Sequence, residues 1–227
     1  YAVSPADDTG RHDDAARRID GLMNRWFLDP VLLGRYPQDV LQDLAGSTGL
    51  VAIREGDLAV IAAPLDFLGV NYYSRHVVAA GPWPGASEVG FVDRPWPKTA
   101  SGWDIDPAGL GEVLRRVGTD YPSIPIYITE NGAAFDDALS AQGTVEDHDR
   151  IDFIAGHLAE VADAVDSGID VRGYFAWSLM DNFEWAEGYA KRFGIVHVDF
   201  DTLARTPKAS ARWFAELART SSTKERA

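Results

Sequence analysis

The 227-residue sequence contains no cysteine. That excludes a disulfide framework, a thiolate nucleophile and a thiolate zinc site. Basic charge is scarce: 21 Lys and Arg stand against 35 Asp and Glu, for a net charge of −14. Such a balance argues against nucleic acid and against anionic membrane surfaces as partners. No apolar run approaches the ~20 residues needed to span a bilayer. The histidines at 12, 76, 148, 157 and 197 lack metal-site spacing and read as structural or surface residues. Internal repeats, low-complexity runs and a domain linker are also missing, so residues 1–227 are expected to belong to one domain. The chain opens Tyr1-Ala2-Val3-Ser4-Pro5, without an initiator Met or a leader-like stretch. It therefore reads as the inside of a longer polypeptide, with the cytoplasm as the expected location.

Apolar material is plentiful, at 46 % hydrophobic and 11 % aromatic residues, so a sizeable core is expected. Ala16, Ile19, Leu22, Met23 and Trp26 recur at helical spacing and predict a helix over 13–27. A short helix is expected over 38–44 and a buried strand over 66–72. Residues 79–104 read as a long Gly- and Pro-rich loop carrying Trp83, Trp96 and Trp103, a length that points to function. Further helices are expected over 107–117 and 148–166, the second stopped by Gly168. Strands are expected over 126–129 and 171–177. Thr206-Pro207 reads as the N-cap and first turn of a last helix. Strand, loop and helix thus alternate three times, the pattern of a parallel α/β sheet. No Gly-rich phosphate loop follows any strand, which favours a barrel over a doubly wound sheet.

All three strands run into polar, aromatic-rich ends. Ile126 to Thr129 delivers Glu130 into the Asn131-Gly132 turn signal. Val171 to Trp177 leads into Ser178-Leu179-Met180-Asp181-Asn182-Phe183-Glu184-Trp185. A barrel does its chemistry at the C-terminal ends of its strands. Carboxylates and amides there can bind sugar hydroxyls, and an indole can stack on the apolar face of a sugar ring. Glu184, between Phe183 and Trp185, could accept two charge-assisted hydrogen bonds. Tyr72 reads as core, opposed to Tyr73 by strand alternation. Trp83 and Trp96 read as loop packing, Asp181 and Asn182 as loop organisers, and Glu187 as evenly balanced between loop and site.

Tyr127 to Asp136 and Gly173 to Asp199 resemble the C-terminal half of a family 1 glycoside hydrolase, the retaining β-glucosidase family. Supporting matches are Asp66-Phe-Leu-Gly-Val-Asn-Tyr-Tyr73, Lys98-Thr-Ala-Ser-Gly-Trp103 and Lys191-Arg-Phe-Gly-Ile-Val196. The resemblance implies a (β/α)8 TIM barrel, of which this chain supplies roughly the last three β/α units. It makes Glu130 the nucleophile, Tyr73 the residue that orients it, and Asn71 its neighbour. It places Trp177 under the sugar, Glu184 and Trp185 at the distal hydroxyls, Phe193 in the pocket wall and Trp103 on the leaving-group side. The implied substrate is a β-glucoside or small β-linked oligosaccharide, as in cellulose and other polysaccharide degradation. The resemblance implies neither cofactor nor metal. The family's acid/base lies in an Asn-Glu-Pro motif that this sequence lacks, so the N-terminal half of the barrel is an expected partner.

Three rival expectations follow. A phospho-β-glycosidase of the same family would bind a 6-phosphate, which Glu184 would repel. A non-catalytic carbohydrate-binding relative would not need Glu130. A third possibility is a folded half that is inert without its partner.

Overall fold

The computed structural model describes residues 1–45, 53–81 and 89–224. The chain begins with strand β1 (Ala2–Pro5), followed by helix α1 (Asp13–Asp20). A π-helical turn over Gly21–Arg25 leads directly into α2 (Trp26–Leu33). The helical spacing of 13–27 was therefore sound, but the helical run is longer and changes register at Gly21. Two short helices follow, α3 (Gln38–Leu44) and α4 (Asp57–Ile61). Strand β2 (Leu68–Tyr72) and strand β3 (Arg75–Ala80) lie on one extended segment, interrupted at Tyr73-Ser74. Strand β4 (Val89–Phe91) then folds back antiparallel on β3. The expected loop over 79–104 thus contains strand at both Ala79-Ala80 and 89–91; Trp83 lies outside the described residues.

Helix α5 (Pro107–Asp120) starts with Pro107 at its first turn, and the Asp106 carboxylate accepts the Gly109 N–H at 3.2 Å. Both features stabilise a helix start. Strand β5 (Ile126–Asn131) carries the polar end of its motif inside the strand, two residues beyond the expected boundary. Helix α6 (His148–Asp166) has its expected limits, and strand β6 (Val171–Ala176) follows. Strands β7 (Val196–Val198) and β8 (Arg205–Pro207) pair antiparallel before α7 (Ala209–Lys224). Thr206 and Pro207 are therefore strand residues and not a helix cap. Thr206 lies opposite His197 in that pair, and Lys208 N–H continues the contact by donating to the Ile195 carbonyl at 3.0 Å.

The parallel pairings are β1 with β3, β2 with β5, and β5 with β6. Because β2 and β3 share one segment, the chain supplies four consecutive parallel strand positions, one more than its apolar runs advertise. Strand alternation sets the layers. Ile126 and Ile128 are buried on one face of β5, against Leu110, Leu114 and Val117 of α5 and Ala164 of α6. Each such aliphatic side chain contributes ~1.5–3 kcal/mol by leaving water. On the opposite face Asn71 and Thr129 are exposed, joined by a 2.6 Å hydrogen bond, and Phe175 is 58 % exposed. That second face is the side a closed barrel turns inward.

Candidate active site

The C-terminal ends of β2, β5 and β6 converge because their backbones pass unusually close. A Cβ added to Gly132 would sit 1.7 Å from the Trp177 carbonyl oxygen, so only glycine lets the end of β5 pass β6. Asn131, fully buried, ties the three strand ends together. Its amide donates to the Tyr72 carbonyl at 2.8 Å, and its side-chain oxygen accepts the Tyr174 hydroxyl at 2.6 Å. Its own carbonyl accepts the Trp177 N–H at 2.9 Å. Sequence reasoning read Asn131 as half of a turn signal and missed this clamp.

Glu130 lies beside Asn71 in the β2–β5 register. The Tyr73 hydroxyl donates to Glu130 Oε2 at 2.7 Å, in the geometry of a group that orients the carboxylate. Burial first, and then Glu130, push the Tyr73 phenol well above its ordinary pKa. It therefore remains a proton donor at any ordinary pH. Tyr73 packs edge-on against Trp103, with ring centroids 5.4 Å apart, and against Phe193 at 6.4 Å. Phe193 is 3 % exposed and Trp103 41 %, so Phe193 backs an aromatic wall whose open surface is Trp103. A cleft of about 600 Å³ adjoins them, lined in part by Asn71, Tyr73, Lys98 and Trp103. A larger cavity of about 890 Å³, beside Asp136, Glu146 and Asp152, includes none of the expected sugar-binding residues.

After β6 the Trp177–Ser178 peptide is cis. The Trp177 indole N–H donates to Glu184 Oε1 at 3.3 Å. Glu184 is 8 % exposed, and its carboxyl pKa is raised, first by burial and also by the charge of Glu130. The Trp177 and Asn182 side chains oppose that rise by hydrogen bonding. Glu130, Tyr73, Trp177 and Glu184 thus sense one another across a single mouth. Trp185 has φ +45° and is 86 % exposed, so no wall built from the described residues covers it. A non-glycine residue in that left-handed region is uncommon and concentrates at functional sites. Trp96 stands apart under Arg94, whose guanidinium lies 3.5 Å from its ring centroid, in agreement with loop packing. Tyr72 is buried as expected, its hydroxyl donating to the Asp106 carbonyl at 2.8 Å. No described helix is long and apolar enough to cross a membrane.

This arrangement has close counterparts. The model of glycosyl hydrolase family 1 matches residues 1–223. A bifunctional β-D-glucosidase/β-D-fucosidase of Bifidobacterium breve is 44 % identical, over 88 % of this chain and 47 % of the relative. The family 1 β-glucosidase structure from Thermotoga maritima is 42 % identical with a TM-score of 0.89, covering 96 % of this chain and 48 % of that one. A structure of the Thermotoga maritima β-glucosidase with glucoimidazole is 41 % identical with a TM-score of 0.87, at 96 % and 49 % coverage. The chain spans about half the length of the curated relatives it matches, and its four parallel strands belong to the C-terminal half of their barrel. With the matched model covering nearly every residue and both strand-end motifs meeting at one mouth, the chain belongs to glycosyl hydrolase family 1.

Proposed function

We propose that this chain is the nucleophile-bearing half of a retaining β-glycosidase, a β-glucosidase acting on terminal β-linked glucosyl residues. The observation that carries the reading is the 2.7 Å bond from the Tyr73 hydroxyl to Glu130, at a mouth of converging strand ends that also holds Trp177 and Glu184. Glu130 attacks the anomeric carbon as the bond to the leaving oxygen breaks, giving a covalent glycosyl-enzyme. Water then attacks that carbon from the face the leaving group vacated, so configuration is retained. The acid that protonates the leaving oxygen, and the base that activates the water, comes from the N-terminal half of the barrel. That half is the partner this chain needs.

Trp177 lies under the sugar ring, and Glu184 accepts hydroxyls at the far end with Trp185 beside it. Asn71 binds next to the nucleophile, Phe193 backs the wall of the sugar pocket, and Trp103 lines the leaving-group side. A 6-phosphate would meet the Glu184 carboxylate, so the substrate is an unphosphorylated sugar. The β-glucosidase names of the relatives and the bound glucoimidazole of one neighbour support glucose as that sugar. The proposal locates the protein in the cytoplasm, which cell fractionation tests.

The decisive experiment is Glu130→Gln in the full-length protein that carries this chain. The amide keeps the shape but is a poor nucleophile, so turnover of an aryl β-glucoside should nearly vanish while the fold survives. In Glu130→Ala, added azide should restore part of the activity and give an inverted product. Ordinary turnover by Glu130→Gln would sink the assignment.

A further inference from the structure

Behind the mouth lies a chain of buried charges that the reaction does not use. Lys208, at the entry to α7, has no exposed surface. Its ammonium donates to Asp137 Oδ2 at 2.5 Å and to Asp181 Oδ1 at 2.9 Å. Both carboxylates are almost fully buried. Asp137 sits seven residues after Glu130, on the loop leaving β5. Asp181 sits between Trp177 and Glu184, on the loop leaving β6. Each acid is also held from its own side. Arg150 donates to Asp137 at 2.7 and 3.1 Å. Asp181 accepts from Arg192 at 2.6 Å and from the backbone N–H groups of Gly194 and Val198 at 3.0 and 3.3 Å. The fit at Gly194 is tight, since a Cβ there would lie 2.1 Å from the Asp181 nitrogen. The same segment carries Phe193, whose carbonyl accepts the Ser178 N–H at 3.1 Å.

We infer that Lys208 is a positioning residue for the sugar pocket, setting the Trp177–Glu184 loop against the Glu130 loop through Asp181 and Asp137. The assignment rests on the roles given above to Glu130 and Glu184. Removing one partner of a buried ion pair ordinarily strands a charge. Here each carboxylate keeps an arginine when Lys208 is lost. The two loops then lose their direct side-chain bridge and stay linked by the longer route from Arg150 to the Arg192 carbonyl at 2.8 Å, which loosens their spacing without either coming apart. Contacts that need both loops suffer most, above all the reach from the Glu130 side of the ring to the distal hydroxyl on Glu184.

The test uses Lys208→Met in the full-length protein, assayed on an aryl β-glucoside and on the matching 6-deoxy-β-glucoside (a β-quinovoside), which lacks only the 6-hydroxyl. On the glucoside kcat/KM should fall tenfold or more, and on the 6-deoxyglucoside no more than about threefold. In a Glu184→Ala background the same substitution should cost the glucoside less than threefold, because coupled residues are non-additive. A lowered unfolding midpoint with equal losses on both sugars shows an ordinary structural lysine and overturns the inference. Should Lys208→Met fail to fold, Lys208→Gln, which stays neutral but can still donate to one carboxylate, is read by the same ratio. A wild-type protein that cleaves neither sugar overturns the proposed function, and this inference with it. An active wild type with an unchanged ratio overturns the positioning role alone.

Discussion

The Tyr73–Glu130 bond is a neutral donor meeting a charged acceptor, a class worth ~1.5–3 kcal/mol. Tyr73→Phe keeps the ring against Trp103 and Phe193 and removes only the hydroxyl. In the full-length protein kcat/KM on an aryl β-glucoside should therefore fall by roughly 10- to 100-fold with little change in unfolding midpoint. An unaltered rate would show that Glu130 needs no orientation from Tyr73. Gly132 makes a harsher demand, since a methyl group there meets the Trp177 backbone and not a side chain that can rotate away. Gly132→Ala should cost at least the ~1–3 kcal/mol of an overpacked site and displace Glu130 and Trp177 together. Thermal unfolding and activity should fall in step, and a stable, active variant would mean the strand ends have room to part. That Glu130, Tyr73 and Glu184 meet at one mouth was legible in the sequence because each sits in a short ordered motif at a strand end. Asn131 was half legible: Asn-Gly marks a turn, but nothing local says that the carboxamide clamps three strands. Lys208 and Asp137 were not legible at all, because their contact joins residues 71 positions apart and only the fold brings them together.

Helix α6 was readable to the residue because nineteen positions of amphipathic pattern end at a glycine stop. Strand β5 showed itself as a run of Ile and Tyr. Strand β1 is only four residues long, ends in Ser4-Pro5 and buries only Ala2, so no periodicity could rise above background. Strand β3 opens on Arg75 and His76, whose charge and polarity hid a segment that pairs on both sides. Elements defined by their neighbours more than by their own pattern are the ones sequence reasoning lost. On α6, His157 is fully buried, with Nδ1 2.7 Å from the Phe153 carbonyl and its ring against Tyr72 and Phe153. Burial lowers its pKa to about 4, against a partial rise from that carbonyl and Asp106. The folded pKa thus lies below the unfolded value of ~6.5, so between the two the unfolded chain binds the extra proton. Stability should be undiminished above pH ~6.5 and decline as pH falls towards 4, by on the order of 3 kcal/mol from this residue. His157→Phe in the full-length protein should flatten that part of the stability curve, and an identical slope would acquit the histidine. Titrating carboxylates contribute equally to both proteins and drop out of the comparison.

Four parallel strands with helices on one face make half of a closed surface. Strand β6 pairs with β5 alone among the described strands, which leaves an open edge of the kind that templates aggregation. The face opposite the helices shows Phe67 52 % exposed and Phe175 58 % exposed, with Asn71 and Thr129 bonded to each other between the apolar positions. A barrel interior of this width is packed solid with side chains when closed, and among the described residues its layers have no opposite wall. Residues 1–227 expressed alone should therefore associate or stay loosely packed, with apolar dye binding and a broad unfolding transition. They should not hydrolyse a β-glucoside although Glu130 is intact, since the proposed function draws the acid and the rest of the sugar pocket from the N-terminal half of the barrel. Co-expression with the N-terminal half of the barrel should bury the exposed face, sharpen unfolding and restore turnover, because the new contacts complete both the core and the mouth. The quantity to follow is turnover of an aryl β-glucoside by the purified chain and by the reconstituted pair. Activity from the chain alone would mean that one of its own carboxylates protonates the leaving oxygen, with Glu184, whose pKa is already raised beside Glu130, as the first to substitute.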